Sequence, residues 1–176
     1  QGAVFLAPYD DENVIEGQAS VGVEILEQLG SEKLDYLVVP VGGGGLSSGL
    51  VKYFQSTNTK THFRFIEPSG GKSLKAAIEA GRPITLNNVD NFVDGAAVAC
   101  VGTKNFDVLK QIDAQQVTDV PEDRVCTTIS EMLNVEGIVL EPAGAMAVQA
   151  LSEIQALIRG KTVVCVTSGG NFDFER

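Results

Sequence analysis

Val38-Val39-Pro40-Val41-Gly42-Gly43-Gly44-Gly45-Leu46-Ser47-Ser48-Gly49 is the stretch from which the fold can be read. Tyr36-Leu37-Val38-Val39 is a near-continuous apolar run of the kind found in a parallel strand covered on both faces. Four consecutive glycines follow, and then Leu46, Leu50, Val51 and Phe54 recur at helical spacing. Without Cβ atoms the glycines let the backbone approach a ligand and turn its N–H groups inward, and the helix start adds its positive end. Together these make an anion nest suited to phosphate. A tight strand-to-helix turn that holds nothing is the bland alternative, but four glycines carry more flexibility, and more entropic cost on folding, than such a turn needs. A dinucleotide GxGxxG does not fit, because Ser47 and Ser48 stand where the third glycine is required. A Walker P-loop does not fit either: Gly44 and Gly49 have the right gap, but Leu50-Val51 follows instead of Lys and Ser/Thr. Gly71-Lys72-Ser73 has Ile66 where that motif needs its first glycine.

Outward from this unit, short apolar runs alternate with helical periodicity. Upstream, Val4-Phe5-Leu6 reads as a buried strand. A helix from about Asn13 to Leu29 follows, capped by Asp10 or Asp11 and stopped by Gly30. Downstream come a strand near Phe63–Ile66, a helix from Ser73 to Ala80 stopped by Gly81, an irregular stretch from Arg82 to Gly95, and a helix near Phe106–Ile112. An edge strand lies around Val117. Pro121 starts a helix with Val125, Ile129 and Leu133 on its apolar face. Ile138-Val139-Leu140 is short and extended. Glu141-Pro142 opens a helix carrying Met146, Ala150, Ile154 and Leu157, and Val163–Val166 is the last strand. This alternation predicts one α/β domain, a mostly parallel twisted sheet with helices on both faces. In such sheets ligands bind beyond the carboxyl ends of the strands. The glycines at 42–45 and the Gly169–Gly170 pair both fall there.

The composition narrows the classes further. The 176 residues are 44% hydrophobic and 20% charged, with a formal charge of −10, so the chain is neither disordered nor suited to the phosphates of a nucleic acid. No apolar run approaches the roughly 18 residues of a membrane helix. Cys100, Cys126 and Cys165 are scattered and suit a reducing cytoplasm. The chain begins at Gln1 and ends at Phe174-Glu175-Arg176 without a cap signal, so it is expected to be a piece of a longer polypeptide.

Three other sites are candidates. Ser168, at a strand end before Gly169-Gly170-Asn171, offers a hydroxyl to a ring nitrogen or a substrate; ordinary strand-end turn chemistry accounts for the same residues. Glu141 ends a short buried run, and its alternative is an acid in the first turn of a helix. Glu67-Pro68 repeats that pattern after the third expected strand, with Gly71 and Ser73 close by. His62 is the only histidine and reads as a surface residue, which leaves no catalytic triad or histidine-based metal site. Asp10-Asp11-Glu12 reads as a solvated helix cap.

Pro8-Tyr9-Asp10-Asp11, Val14-Ile15-Glu16-Gly17-Gln18, Gly42–Gly45 with Leu46, Asp94-Gly95-Ala96-Ala97-Val98, Glu141-Pro142-Ala143-Gly144-Ala145 and Ser168-Gly169-Gly170-Asn171 follow one another as they do in threonine dehydratases. The chain resembles this family along essentially its whole length. Phe92–Gly102 and Val125-Cys126-Thr127-Thr128 are most similar to the biosynthetic bacterial type, the enzyme of isoleucine biosynthesis. Serine/threonine dehydratases and serine racemase are the near alternatives, and a non-catalytic phosphate-ligand module is the alternative from another class. The resemblance implies the tryptophan synthase β-like fold, pyridoxal 5'-phosphate as cofactor and β-elimination of L-threonine (or L-serine), giving 2-oxobutanoate and ammonia from threonine. It also implies a homo-oligomer, dimer or tetramer.

Residue by residue, the resemblance implies that Gly42, Gly43, Gly44, Gly45 and Leu46 hold the cofactor phosphate. It implies that Ser168 hydrogen-bonds the pyridine nitrogen and that Gly95 and Glu141 line the ring. Glu67, the Gly71 carbonyl and Ser73 correspond to a cation site of serine racemase-like relatives, with Ser73 where those have an aspartate. Gln18-Ala19-Ser20 departs from the usual Gln-Gly-Thr. The family's Schiff-base lysine lies in Ser-Phe-Lys-x-Arg, and none of the chain's eight lysines has that context. Residues 1–176 are therefore expected to be the second part of the cofactor-binding large domain. The lysine-bearing part, the small domain and the regulatory domain would lie elsewhere, and the chain alone would be inactive.

Overall fold

In the computed structural model, residues 2–172 are described; Gln1 and residues 173–176, with the chain end Phe174-Glu175-Arg176, lie outside the described residues. Four parallel strands form one sheet in the order β3-β2-β1-β4: β1 (Tyr36–Pro40), β2 (His62–Pro68), β3 (Val117–Val120) and β4 (Val163–Cys165). Side chains along β1 alternate between two cores, as the period of a strand requires. Val38, with Ile66 and Val120, packs under α6 (Glu122–Glu131) and α7 (Pro142–Glu153), against Val125, Ile129 and Met146. Leu37 and Val39 face the other way, against Leu50 and Phe54 of α3 (Gly45–Ser56). Phe65 and Val117 meet Val51, Leu74, Phe106 and Leu109 on that second face. The expected α/β sheet with helices on both faces is what forms.

The order of strands places the site. The chain adds β2 and β3 on one side of β1 and then returns to add β4 on the other, where Tyr36 pairs with Val163 and Val38 with Cys165. The helix leaving β1 and the helix preceding β4 cover opposite faces. A crevice therefore opens beyond the carboxyl ends of β1 and β4, at the point where the strand order reverses. The tetraglycine run continues from β1 into that crevice, and Ser168 follows β4.

Several elements differ from the sequence expectation, each for a tertiary reason. Val4-Phe5-Leu6 forms no strand and is 83%, 84% and 78% exposed. Its β-branched and aromatic character favours a strand only where a ladder and a half-buried surface are offered. The single helix expected from Asn13 to Leu29 is two, α1 (Glu12–Gln18) and α2 (Ser20–Leu29), with Asp11 capping the first and Gly30 ending the second. They part at Ala19, where α3 comes so close that a Cβ on Gly49 would meet the Ala19 nitrogen at 2.8 Å. The helix expected at Phe106–Ile112 is α5 (Thr103–Leu109), three residues earlier, because the Asp10 carboxylate caps the N–H groups of Thr103 and Lys104 from 93 and 94 residues away. Leu133 is 37% exposed, since α6 loosens into a π-helical turn at Met132–Glu136 that rotates it off the core face. Ile138-Val139-Leu140 pairs with no strand. The stripe on α7 ends at Ile154, and Leu157, in α8 (Gln155–Ile158), is 47% exposed. α4 (Ser73–Ala80) stops at Gly81 in the left-handed conformation, as expected.

Candidate functional site

A cleft of about 410 Å³ occupies the crevice, lined among others by Tyr9, Gly42, Gly43, Gly44, Gly45, Leu46, Ser47, Gly95, Glu141 and Ser168. All eight residues singled out for the cofactor are thus brought to one cavity from four parts of the chain.

Its floor at the end of β1 is built for close approach. Gly44 caps α3 in the left-handed conformation, φ 95°, which few residues other than glycine adopt. The Tyr9 ring lies on Gly43, where a Cβ would run into its Cγ, and a Cβ on Gly42 would meet the Ala96 backbone at 3.0 Å. The N–H groups of a helix's first turn have no intrahelical partner. Among the described residues the amides of Gly43, Gly44, Gly45, Leu46 and Ser47 donate to no acceptor, and the buried Ser47 hydroxyl has no partner either. Five such donors and a hydroxyl at the positive end of a 12-residue helix match the oxygens of a phosphate monoester. The cradle therefore fits the phosphate of pyridoxal phosphate.

The opposite wall joins three motifs. The Glu141 amide donates to the Gly169 carbonyl at 2.9 Å, and a Cβ on Gly144 would meet that oxygen at 2.6 Å. The Glu141 carboxylate lies directly against Gly169, and a Cβ on Gly95 would stand 3.5 Å from its Oε1. Burial, with the Asp94 carboxylate second, holds Glu141 above the usual carboxylate range. This wall carries Ser168 as a neutral hydroxyl beside the cavity.

Glu67, Gly71 and Ser73 lie away from this cleft, around the start of α4. The Glu67 carboxylate, fully buried, accepts from the amides of Leu74 at 2.7 Å and Lys75 at 3.0 Å. The Gly71 carbonyl accepts from the Ser73 amide at 3.0 Å, and the buried Ser73 hydroxyl has no partner. Burial, opposed by the two amide bonds, pushes Glu67 up to about 7. Among the described residues no group of three or more His, Cys, Asp or Glu is placed to hold a metal. His62 is exposed with its ring tilted against Tyr36, the three cysteines are free thiols, and among the described residues no helix is long and apolar enough to cross a membrane.

Sequence reasoning gave no role to Tyr9, Ser47 or Asn105. Ser47 carries a signal, since it follows the glycines in the first turn of α3. Tyr9 and Asn105 reach the loop from 34 and 62 residues away and carry none.

The sequence profile of the pyridoxal-phosphate dependent enzymes matches residues 1–169. The chain belongs to that family. Within it, the chain is 46% identical over 176 residues to the L-threonine dehydratase biosynthetic IlvA of Mycobacterium leprae, covering 99% of this chain and 41% of that protein. The processed form of threonine deaminase isoform 2 from Solanum lycopersicum superposes with a TM-score of 0.90 at 32% identity, over 99% of this chain and 50% of that one. Serine racemase from Dictyostelium discoideum gives 0.83 at 30%, over 96% and 53%. This pyridoxal-phosphate family member therefore spans under half the length of its M. leprae relative and about half of the two solved chains.

Proposed function

We propose that residues 1–176 are the cofactor-anchoring part of an L-threonine ammonia-lyase, which converts L-threonine to 2-oxobutanoate and ammonia in isoleucine biosynthesis. The observation that carries this reading is the set of five partnerless amides and the Ser47 hydroxyl at the head of α3, facing Ser168 and Glu141 across one cleft. Pyridoxal phosphate, when bound, supplies an electron sink for the charge that develops at the substrate α-carbon. Gly42–Leu46 grip its phosphate and fix its position. Ser168 would offer a neutral hydroxyl to the ring nitrogen, one that does not enforce protonation there and so would favour elimination chemistry. Gly95 and Glu141 border the ring. A cation would be taken by Glu67, the Gly71 carbonyl and Ser73, whose hydroxyl lacks a partner.

Among the described residues no lysine lines the cleft. The lysine that carries the cofactor, the small domain that closes on substrate and the regulatory domain then belong to the remainder of a longer cytoplasmic, homo-oligomeric protein. The name of the M. leprae relative favours threonine over serine as substrate, and the Dictyostelium likeness keeps serine racemization as the second reading.

An absorbance titration tests the reading. Pyridoxal phosphate should bind the chain in competition with inorganic phosphate, adenine nucleotides should not, and no 2-oxobutanoate should form from L-threonine. Binding of adenine nucleotides in place of pyridoxal phosphate, or turnover by this chain alone, would overturn it.

A further inference from the structure

A run of four glycines has no side chains with which to hold its own peptide planes, so the cradle's geometry must be imposed from outside. Asn105, on α5 and fully buried, reaches it across 62 residues. Its Nδ2 donates to the Gly43 carbonyl at 2.9 Å and to the Tyr9 carbonyl at 2.9 Å, so both amide protons are used. The Gly102 amide donates to the same Gly43 oxygen at 3.0 Å. Two donors thus fix that carbonyl toward the head of α5. In a trans peptide the C=O of Gly43 and the N–H of Gly44 point in opposite directions. Pinning the first therefore turns the second toward the cleft that Gly44 lines.

The side-chain orientation is dictated by its partners. Turned over, the Asn105 amide would set Oδ1 against two carbonyl oxygens; as it stands, Oδ1 is buried with no partner. The Ser48 hydroxyl donates to the Asn105 carbonyl at 3.3 Å, which ties the second turn of α3 to the same residue. The Tyr9 bond holds the segment whose ring rests on Gly43. An orphaned acceptor is retained here for the sake of where the two donors point.

We propose that Asn105 is a positioning residue for the anion cradle, setting the Gly43–Gly44 peptide so that its N–H faces a bound phosphate group. This rests on the reading of the cradle as the cofactor-phosphate site. Asn105 does not line the cleft; it acts through the loop, by ordering before binding what a ligand would otherwise have to order.

The test uses Asn105→Ala and Asn105→Ser in the protein at its natural length, with Val125→Ala, in the core on the other face of the sheet, as a destabilised control. The Gly102 amide remains as a donor beside the Gly43 carbonyl in both variants, so the substitution by itself does not strip that oxygen of every partner. Two readouts are needed: the dissociation constants of pyridoxal phosphate and inorganic phosphate, and the direction of the Gly43 carbonyl in ligand-free crystals. Both Asn105 variants should bind both ligands about ten-fold more weakly, with the Gly43–Gly44 peptide turned or in two orientations, while Val125→Ala binds as the parent does. Affinities within two-fold of the parent and a Gly43 carbonyl still aimed at Gly102 would overturn the proposal. A parent protein that binds neither ligand, with the peptide turned in the variants, would overturn the cofactor reading and support the positioning role.

Discussion

Glu67 of Glu67-Pro68 is fully buried at the end of β2, whereas Glu141 of Glu141-Pro142 stands half-buried on the wall of the cleft. The two dipeptides read alike in sequence. Glu67 reaches seven and eight residues forward and gives one oxygen each to the amides of Leu74 and Lys75, doing for α4 what its own cap position, Lys72, does not. Glu141 occupies the cap position of α7 and does not cap it; its carboxylate turns instead toward Gly95 and Gly169. A glutamate before proline is thus a structural group when a helix start lacks an acceptor nearby. It stays available for chemistry when glycines on two other segments make room for it.

The sharpest break of this contrast is Glu67→Ala. It leaves two helix-start amides without acceptors in a dry site and opens a cavity, and should cost about 4 kcal/mol in chemical denaturation; a loss under about 1 kcal/mol would show that the cap matters little. Glu141→Ala is the companion, expected within about 0.5 kcal/mol of the parent.

The second test is pH. Glu67 is raised in the fold to about 7 from an ordinary 4.5, so between these values the native state holds more protons than the unfolded one. Its contribution is fully present below about pH 4.5 and is lost as the pH rises through about 7, a swing of about 3 kcal/mol. Glu67→Gln, which does not titrate, should be less stable than the parent at pH 5 and more stable at pH 8. Parallel stability curves from pH 5 to pH 8 would remove Glu67 as their cause. Asp119, paired with Lys72 and Lys75 and held below its ordinary value, titrates at lower pH and leaves this window clear.

Gly169→Ala probes the other glutamate. Its Cβ would occupy the space of the Glu141 carboxylate, so pyridoxal phosphate affinity should fall about ten-fold while stability falls about 1 kcal/mol. Retained affinity in an absorbance titration would separate Glu141 from the cleft's function. The smallest effect is expected of Glu141→Gln: a melting temperature within about 2 °C of the parent, because burial and the Asp94 charge, and no hydrogen bond from the described residues, act on its carboxylate, and cofactor affinity changed about three-fold or less.

The nest of free amides was legible because its cause is local. Gly42–Gly45, the strand before them and the first turn of α3 are contiguous, and the donors a helix start leaves free follow from backbone geometry alone. Ser168 and Glu141 were legible only as strand-end groups with a bland alternative each, until strand order set them against one another. Asn105 left no mark, since nothing in Thr103-Lys104-Asn105-Phe106 distinguishes an asparagine that clamps a loop from one that caps a turn. Val4-Phe5-Leu6 failed in the opposite sense, with a strong local preference and no ladder to satisfy it.

What the amino-acid sequence determined by itself was the alternation of strands and helices, the stops at Gly30 and Gly81, and the phosphate-sized nest after β1. These depend on neighbours within one turn or one strand, where residue type sets the energy. Tertiary structure decided which glutamate is a cap and which faces the cleft, where α5 begins, and which way the Gly43 carbonyl points. Each of those is settled by a partner 7 to 94 residues away, and only packing determines which distant donor arrives.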